Sequence, residues 1–202
     1  MAKLLLGTGN RKKGEEMAAL LAPLGIVLET LKDVPEAIEV EETGTTFREN
    51  ATLKAVEQAK HLGRWVLAED SGLAVDALDG GPGVYSARFS GEDATDEKNN
   101  ELLREKLDEV PTERRGAGYH CHMVLADPEG QVRAESHGTC RGRITRDYRG
   151  DGGFGYDPLF EIPEYHQTFG ELPALVKNYL SHRSRAASCM VAQLASLVSE
   201  MS

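Results

Sequence analysis

The first thirty residues constrain the chain most. Lys3-Leu4-Leu5-Leu6 reads as a short buried strand, and Gly7-Thr8-Gly9-Asn10 breaks it. Residues 12–24 then place Met17, Leu20, Leu21 and Leu24 at helical spacing. Gly25 ends that helix, and Ile26-Val27-Leu28 reads as a second strand. A strand, a tight turn, a helix and a strand in so short a span commit the chain to helices packed on a sheet.

The same alternation continues without strict order. Thr46-Phe47-Arg48-Glu49 has the form of a capping box opening a helix that runs to about Leu62. Trp65-Val66-Leu67-Ala68 predicts a compact apolar strand ending on Glu69-Asp70-Ser71-Gly72. After a glycine-rich loop over 80–91, Thr95 caps a charged helix reaching Asp108, with Asp96 and Glu97 suited to its positive end. Residues 119–126 predict a strand, Asp127-Pro128-Glu129-Gly130 a turn, and 131–143 the antiparallel partner. A second glycine-rich loop spans 150–155. Ser181 caps a final helix that packs Ala187, Met190, Val191, Leu194 and Leu197. With no repeat or long linker, residues 1–202 read as a single α/β or α+β domain around a mixed sheet.

Composition removes several classes of function. There are 33 acidic against 23 basic side chains, a formal net charge of −10, so a broad basic face for nucleic acid polymers is not expected. The longest uncharged stretches, 17–28 and 186–199, fall short of the roughly 20 apolar residues of a membrane span. Nor does the start, with few apolar residues before Gly7, predict a secretion signal. Cys121, Cys140 and Cys189 form an odd, unpatterned set that fits free thiols in a reducing cytoplasm.

Four segments carry chemistry, and each also has a plain structural reading. Thr8-Gly9-Asn10-Arg11-Lys12-Lys13 places backbone N–H groups, a helix N-terminus and ammonium groups together, a ready anion site without the spacing of a Walker A loop. It is equally a turn with a basic first helical turn. Glu41-Glu42 and Glu69-Asp70 are carboxylate pairs able to ligate a hard cation such as Mg²⁺, or else solvated acidic loops. Gly152-Gly153-Phe154-Gly155-Tyr156-Asp157 could stack a planar ring, or form a tight turn with its aromatics in the core. Ser181-His182-Arg183, with Lys177 upstream, offers converging donors or a simple helix cap. His120 and His122 share a strand face but complete no zinc site. Arg141, Arg143, Arg146 and Arg149 read as a solvated face or a subunit contact.

Taken together, TGNRKK (8–13), EETGTTFRENATLKA (41–55), AEDSGLAVDAL (68–78), PGVYSARFSG (82–91), GGFGYDPLF (152–160) and SHR (181–183) occur in one order along nearly the whole chain. In this the chain strongly resembles the Ham1-like inosine/xanthosine triphosphate pyrophosphatases. The resemblance implies an elongated α/β fold with a long mixed sheet and a cleft between two lobes. It implies a cytoplasmic, Mg²⁺-dependent homodimer that hydrolyses ITP, dITP and XTP to the monophosphate and pyrophosphate, binding neither nucleic acid polymer nor membrane.

Carried over by motif, Thr8, Gly9, Asn10 and Lys13 hold the triphosphate, with Arg11 and Lys12 in the same segment and Lys54 a further contact. Glu41 and Asp70 bind magnesium, Asp70 doubling as proton acceptor, and Ser71 contacts substrate. Phe154, Gly155, Tyr156, Asp157, Lys177, His182 and Arg183 form the base and sugar side. Two departures stand out: Glu69 replaces a frequent aspartate, and Pro173-Ala174-Leu175-Val176 replaces an acidic stretch, leaving open how Lys177 is held. Whether Glu42 joins Glu41 at the metal is also open. The rival readings are a Maf-like pyrophosphatase acting on other nucleotides and a non-catalytic nucleotide-binding module.

Overall fold

A computed structural model describes residues 2–201. The elements are β1 (Lys3–Leu6), α1 (Arg11–Leu21), β2 (Val27–Thr30), α2 (Phe47–Leu62), β3 (Val66–Val75), α3 (Asp96–Lys106), β4 (Gly116–Ala126), β5 (Val132–Ile144), β6 (Phe160–Ile162), β7 (Gln167–Thr168), α4 (Ala174–Leu180) and α5 (His182–Leu197), with short 3₁₀ turns between. The strands form one mixed sheet in the order β2-β1-β3-β4-β5-β6-β7. β1 pairs in parallel with β2 and β3, while β6 runs antiparallel to β5 and β7. The fold is therefore mixed α/β. No helix among the described residues is long and apolar enough to cross a membrane.

The chain divides into two compact units, and β3, β4 and β5 each contribute residues to both. The first takes residues up to Asp70, Cys121–Gly138 and the segment from His182 onward; the second takes Ser71–His120 and Thr139–Ser181.

In the first unit both sheet faces are covered, which explains the uninterrupted apolar runs of β1 and β3. Side chains alternate across a strand, so Leu4, Leu6 and Leu67 pack on Met17 and Leu21 of α1 and Met190 and Leu194 of α5. Leu5, Val66 and Ala68 pack on Ala51, Ala55 and Ala59 of α2 from the other side. The small α2 residues let that helix lie close. Gly7 is required where β1 passes β3, because a Cβ there would come within 2.9 Å of the Ala68 methyl. Thr46 caps α2 as expected: its side chain accepts from Glu49 N–H and Glu49 returns the bond, while Gly63 ends the helix at φ 61°.

The second unit has its own core. Tyr119, Phe160 and Phe169 pack with ring centroids 4.7, 5.1 and 6.0 Å apart, among Leu73, Val75, Leu103 and Leu159. Its aromatic packing is denser than that of the first unit, where the core is mostly aliphatic.

Several boundaries differ from the sequence reading. β3 does not stop at Glu69-Asp70-Ser71-Gly72 but runs on to Val75. Gly72 belongs in the strand because a side chain there would strike Ser86 and the Gly83 carbonyl, and Ser86 Oγ accepts the Leu73 N–H at 2.9 Å. Part of the loop over 80–91 is a 3₁₀ helix, Gly83–Arg88. α4 precedes the final helix, with Ser181 in extended backbone between the two.

Candidate active site

The loop after β1 is ordered by its own side chains. Asn10 caps α1, its side-chain oxygen accepting Lys13 N–H at 3.2 Å, and Thr8 Oγ accepts Asn10 N–H at 3.2 Å. α1 thus begins with no acidic residue in its first turn, leaving its partial positive charge uncompensated within the helix. Gly9, Asn10, Arg11 and Lys12 are exposed, and Arg11 pairs with Glu15 at 2.7 Å. A depression of about 180 Å³ lies beside the loop, lined by Thr8, Gly9, Asn10, Arg11 and Lys32 among others.

Because β3 continues, Glu69 and Asp70 occupy adjacent mid-strand positions and point to opposite faces. Glu69 lies on the α1/α5 face. It meets Arg183 at 3.1 Å, Lys13 Nζ at 3.6 Å and the Cys121 thiol at 3.0 Å, and Arg183 continues to Glu16 of α1 at 2.5 Å. Glu69 and Arg183 are almost wholly buried, with side chains 1% and 3% exposed. Burial alone would raise the Glu69 pKa, but Arg183 and Lys13 outweigh it and hold the carboxyl well below the usual range. Burial and the adjacent Glu69 charge push the Cys121 thiol up, so it stays a neutral donor.

Asp70 lies on the α2 face. Lys54 Nζ stands 3.0 Å from both Asp70 and Glu42, and Asn50 Nδ2 is 3.4 Å from the other Asp70 oxygen. Burial raises the Asp70 pKa, and Lys54 only partly offsets it. Burial depresses Lys54, yet Asp70 and Glu42 together carry its pKa upward. Glu42 thus shares the Lys54 ammonium with Asp70, and Glu41 beside it is exposed. Among the described residues no cluster of three or more His, Cys, Asp or Glu is arranged to hold a metal. Two carboxylates that attract an ammonium do suit Mg²⁺, a hard oxygen-seeking ion that commonly takes one or two carboxylates and fills its shell with water and phosphate.

In the second unit, Asp157 organises the glycine-rich loop. Its Oδ2 accepts Phe154 N–H at 2.8 Å and Lys177 Nζ at 2.7 Å. Lys177 also lies 4.8 Å from the Phe154 ring centroid and 5.9 Å from that of Phe169. This answers how Lys177 is held: Pro173 opens α4, and Asp157 with the two rings replaces any acidic support from the preceding stretch. Gly155 is fixed at both ends, donating to Asp96 at 2.8 Å and accepting from Asn100 at 2.9 Å. Tyr156 is buried and its hydroxyl donates to the Ser86 carbonyl at 2.7 Å, so its ring serves the core. Ser71 is half-buried in β3, and His182 is buried at the first position of α5.

The sequence reading missed Glu16, Asn50 and Cys121 as partners of the site. Glu16 had a signal, one helical turn beyond Lys13 on the same face. Cys121 had none, since its neighbour lies 52 positions away.

The chain is similar to known proteins along nearly its whole length. The Ham1 family model matches residues 4–193. A dITP/XTP pyrophosphatase of Rhodopirellula baltica is 57% identical over 198 residues, 98% of this chain and 95% of that protein. A dITP/XTP pyrophosphatase of Desulforamulus reducens is 48% identical over 184 residues, 91% of each. Among solved structures, a HAM1 protein from Coxiella burnetii superposes with a TM-score of 0.87 at 38% identity, covering 99% of this chain and all of that one. The Staphylococcus aureus Ham1 protein gives 0.86 at 35% identity, covering 96% and 98%.

Proposed function

The chain belongs to the Ham1 family, and from that premise we propose that it is a nucleoside triphosphate pyrophosphatase acting on dITP, XTP and ITP with Mg²⁺ as cofactor. The observation that carries the proposal is the split of Glu69 and Asp70, adjacent in β3 but facing opposite partners, Arg183 and Lys13 on one side and Lys54 and Asn50 on the other, so that one carboxyl is lowered and the other raised. Pairs of acids driven to different pKa values are a mark of assigned catalytic roles.

In this reading Asp70 takes the proton of the water that attacks the α-phosphorus, and pyrophosphate leaves. An ordinary aspartate is a weak base; burial brings Asp70 nearer the operating pH, which favours proton transfer. Lys54, 3.0 Å from Asp70, opposes that rise with its ammonium charge. Asp70 and Glu42 would hold Mg²⁺, with Glu41 next in the chain; when bound, the ion neutralises phosphate charge and lowers the pKa of bound water. Lys13 and the N-terminus of α1 stabilise the leaving pyrophosphate, which is where charge develops.

Base selection falls to donors. Lys177, beside the Phe154 ring, has three N–H donors and no acceptor. That suits the 6-oxo group of hypoxanthine and xanthine and opposes the 6-amino group of adenine, and unpaired polar groups of this kind discriminate by about 10⁴-fold. Arg183 is already bonded to Glu69 and Glu16, so its role is to hold Lys13 and α5 in place. The same premise carries a cytoplasmic homodimer, which sedimentation of the purified protein would check.

The test is pyrophosphate release from ITP, XTP, dITP, ATP, GTP and UTP, with and without Mg²⁺. Turnover of the first three with Mg²⁺ is expected. Equal turnover of ATP, or full activity in Asp70→Asn, would sink the proposal.

A further inference from the structure

The arginine cluster at the end of β5 has no place in the reaction above. Arg141 leaves the group by pairing with Asp76 at 2.6 Å. Arg143, Arg146 and Arg149 instead line one cavity of about 250 Å³ in the second unit, together with Thr112 and Thr145. Two carboxylates, Glu161 and Asp147, also line it. Glu161 is committed to Arg143 and Arg149, and Arg149 is further drawn to Glu171 at 3.6 Å.

Arg146 is different. Its hydrogen bonds go to neutral carbonyls, Asp108 O at 3.1 Å and Val110 O at 3.3 Å. Beneath it lies Arg115, only 2% exposed, whose guanidinium also bonds to carbonyls: Val110 O at 2.9 Å, Thr145 O at 3.3 Å and Leu107 O. Two guanidinium groups therefore share the Val110 carbonyl, and among the described residues the hydrogen bonds of both go to carbonyls. Burial and the Arg146 charge lower the Arg115 pKa, with Asp108 giving only partial relief. Around the cavity Arg115, Arg143, Arg146 and Arg149 balance Asp108, Asp147, Glu161 and Glu171 in number, and Arg146 is the lining guanidinium whose hydrogen bonds go to carbonyls.

We propose that this cavity is a binding site for a small phosphate-type oxyanion, held by Arg146 with Arg149 and Arg143 at its rim and supported electrostatically by Arg115. Guanidinium forks match tetrahedral oxyanions bidentately and are less costly to dehydrate than ammonium groups. At about 30 Å³ for each water-sized share, the cavity holds an anion of one or two phosphoryl groups but not a nucleoside triphosphate with its base. The ligand is thus inorganic phosphate, pyrophosphate or the phosphate end of a monoester. None of the residues assigned to the reaction lines the cavity, so this site stands or falls independently of the proposed activity.

The test uses the full-length protein carrying Lys13→Met, which removes the ammonium from the phosphate loop. Side-chain Nε–Hε signals of ¹⁵N-labelled arginine, assigned with Arg146→Lys and Arg149→Lys, are followed during titration with phosphate, pyrophosphate, sulfate, inosine monophosphate and chloride. Saturable shifts of the Arg146 signal by phosphate or pyrophosphate are expected at about 1 mM or below. Arg146→Gln should weaken that binding about tenfold, the equivalent of one charge-assisted hydrogen bond. Because Arg146 is exposed and bonds only to carbonyls, this variant should fold, and pyrophosphate release in the Lys13 background should not change. A preference for inosine monophosphate over phosphate would assign the site to monoesters, and the reverse to free anions. Shifts that do not saturate, shifts matched by chloride, or unchanged affinity in Arg146→Gln would each overturn the proposal.

Discussion

Replacing Glu69 with Gln tests how the first unit is held together. The change keeps the side-chain volume and leaves an oxygen for the Cys121 thiol, so no cavity term enters. What it removes is the negative charge between Arg183 and Lys13, in a pair whose side chains are 1% and 3% exposed and little screened by solvent. Removing one partner of a buried ion pair costs about 3–5 kcal/mol, and the retained Glu16 contact places this case near about 3 kcal/mol. For a chain of this size that is a fall in Tm of roughly 6–12 °C. The loss should also depend on pH. Glu69 is depressed in the folded state, so its stabilisation is present above the ordinary carboxylate value of 4.5 and fades as pH falls toward its much lower folded value. Urea unfolding at pH 7 and at pH 3 measures both: the gap between wild type and variant should be large at pH 7 and narrower at pH 3. A gap under about 0.5 kcal/mol at pH 7, the size of an ordinary surface change, would refute the buried-pair account. So would a gap of equal size at the two pH values.

Three further outcomes are expected. Lys54→Met removes the cation that holds down the Asp70 pKa, so the acid limb of the kcat/KM profile should move to higher pH; an unmoved limb would remove Asp70 as the titrating base. Lys177→Gln strips Asp157 of its ammonium partner beside Phe154, and KM for ITP should rise about tenfold or more with a smaller change in kcat, as steady-state kinetics would show. Thr46→Ala deletes one arm of the α2 capping box and should cost about 1 kcal/mol in urea unfolding while leaving KM unchanged.

What could be read from the sequence was mostly local. The loop after β1, the Thr46-Glu49 box, the Thr95 cap and the Asp127-Gly130 turn depend on neighbours a few residues away, and each appears where short-range chemistry puts it. The end of β3 was misplaced because Ser71-Gly72 resembles a turn, whereas Gly72 is demanded by Ser86, fourteen residues on. α4 was missed for a related reason: seven residues after a proline carry too little periodicity, with Leu175 and Tyr179 both exposed. Motif resemblance singled out candidate site residues, but not their partners. The Arg183 bonds span 114 positions to Glu69 and 167 to Glu16, and no local pattern encodes such contacts.

Placing two acids side by side in the middle of a strand makes the site sensitive to sliding of that strand. A shift of β3 by one residue against β1 would exchange the two faces, setting Asp70 before Arg183 and Glu69 before Lys54. The carboxyl held low by Arg183 and Lys13 would then take the place of the one raised by burial. Register here is fixed at both ends: Leu67 accepts the Gly7 N–H at 2.8 Å on one side, and Leu73 is pinned by Ser86 on the other. Insertions or deletions in β3 should therefore be far more damaging to this protein than substitutions of the same residues, and the strand itself acts as the ruler that keeps each carboxylate in its own role.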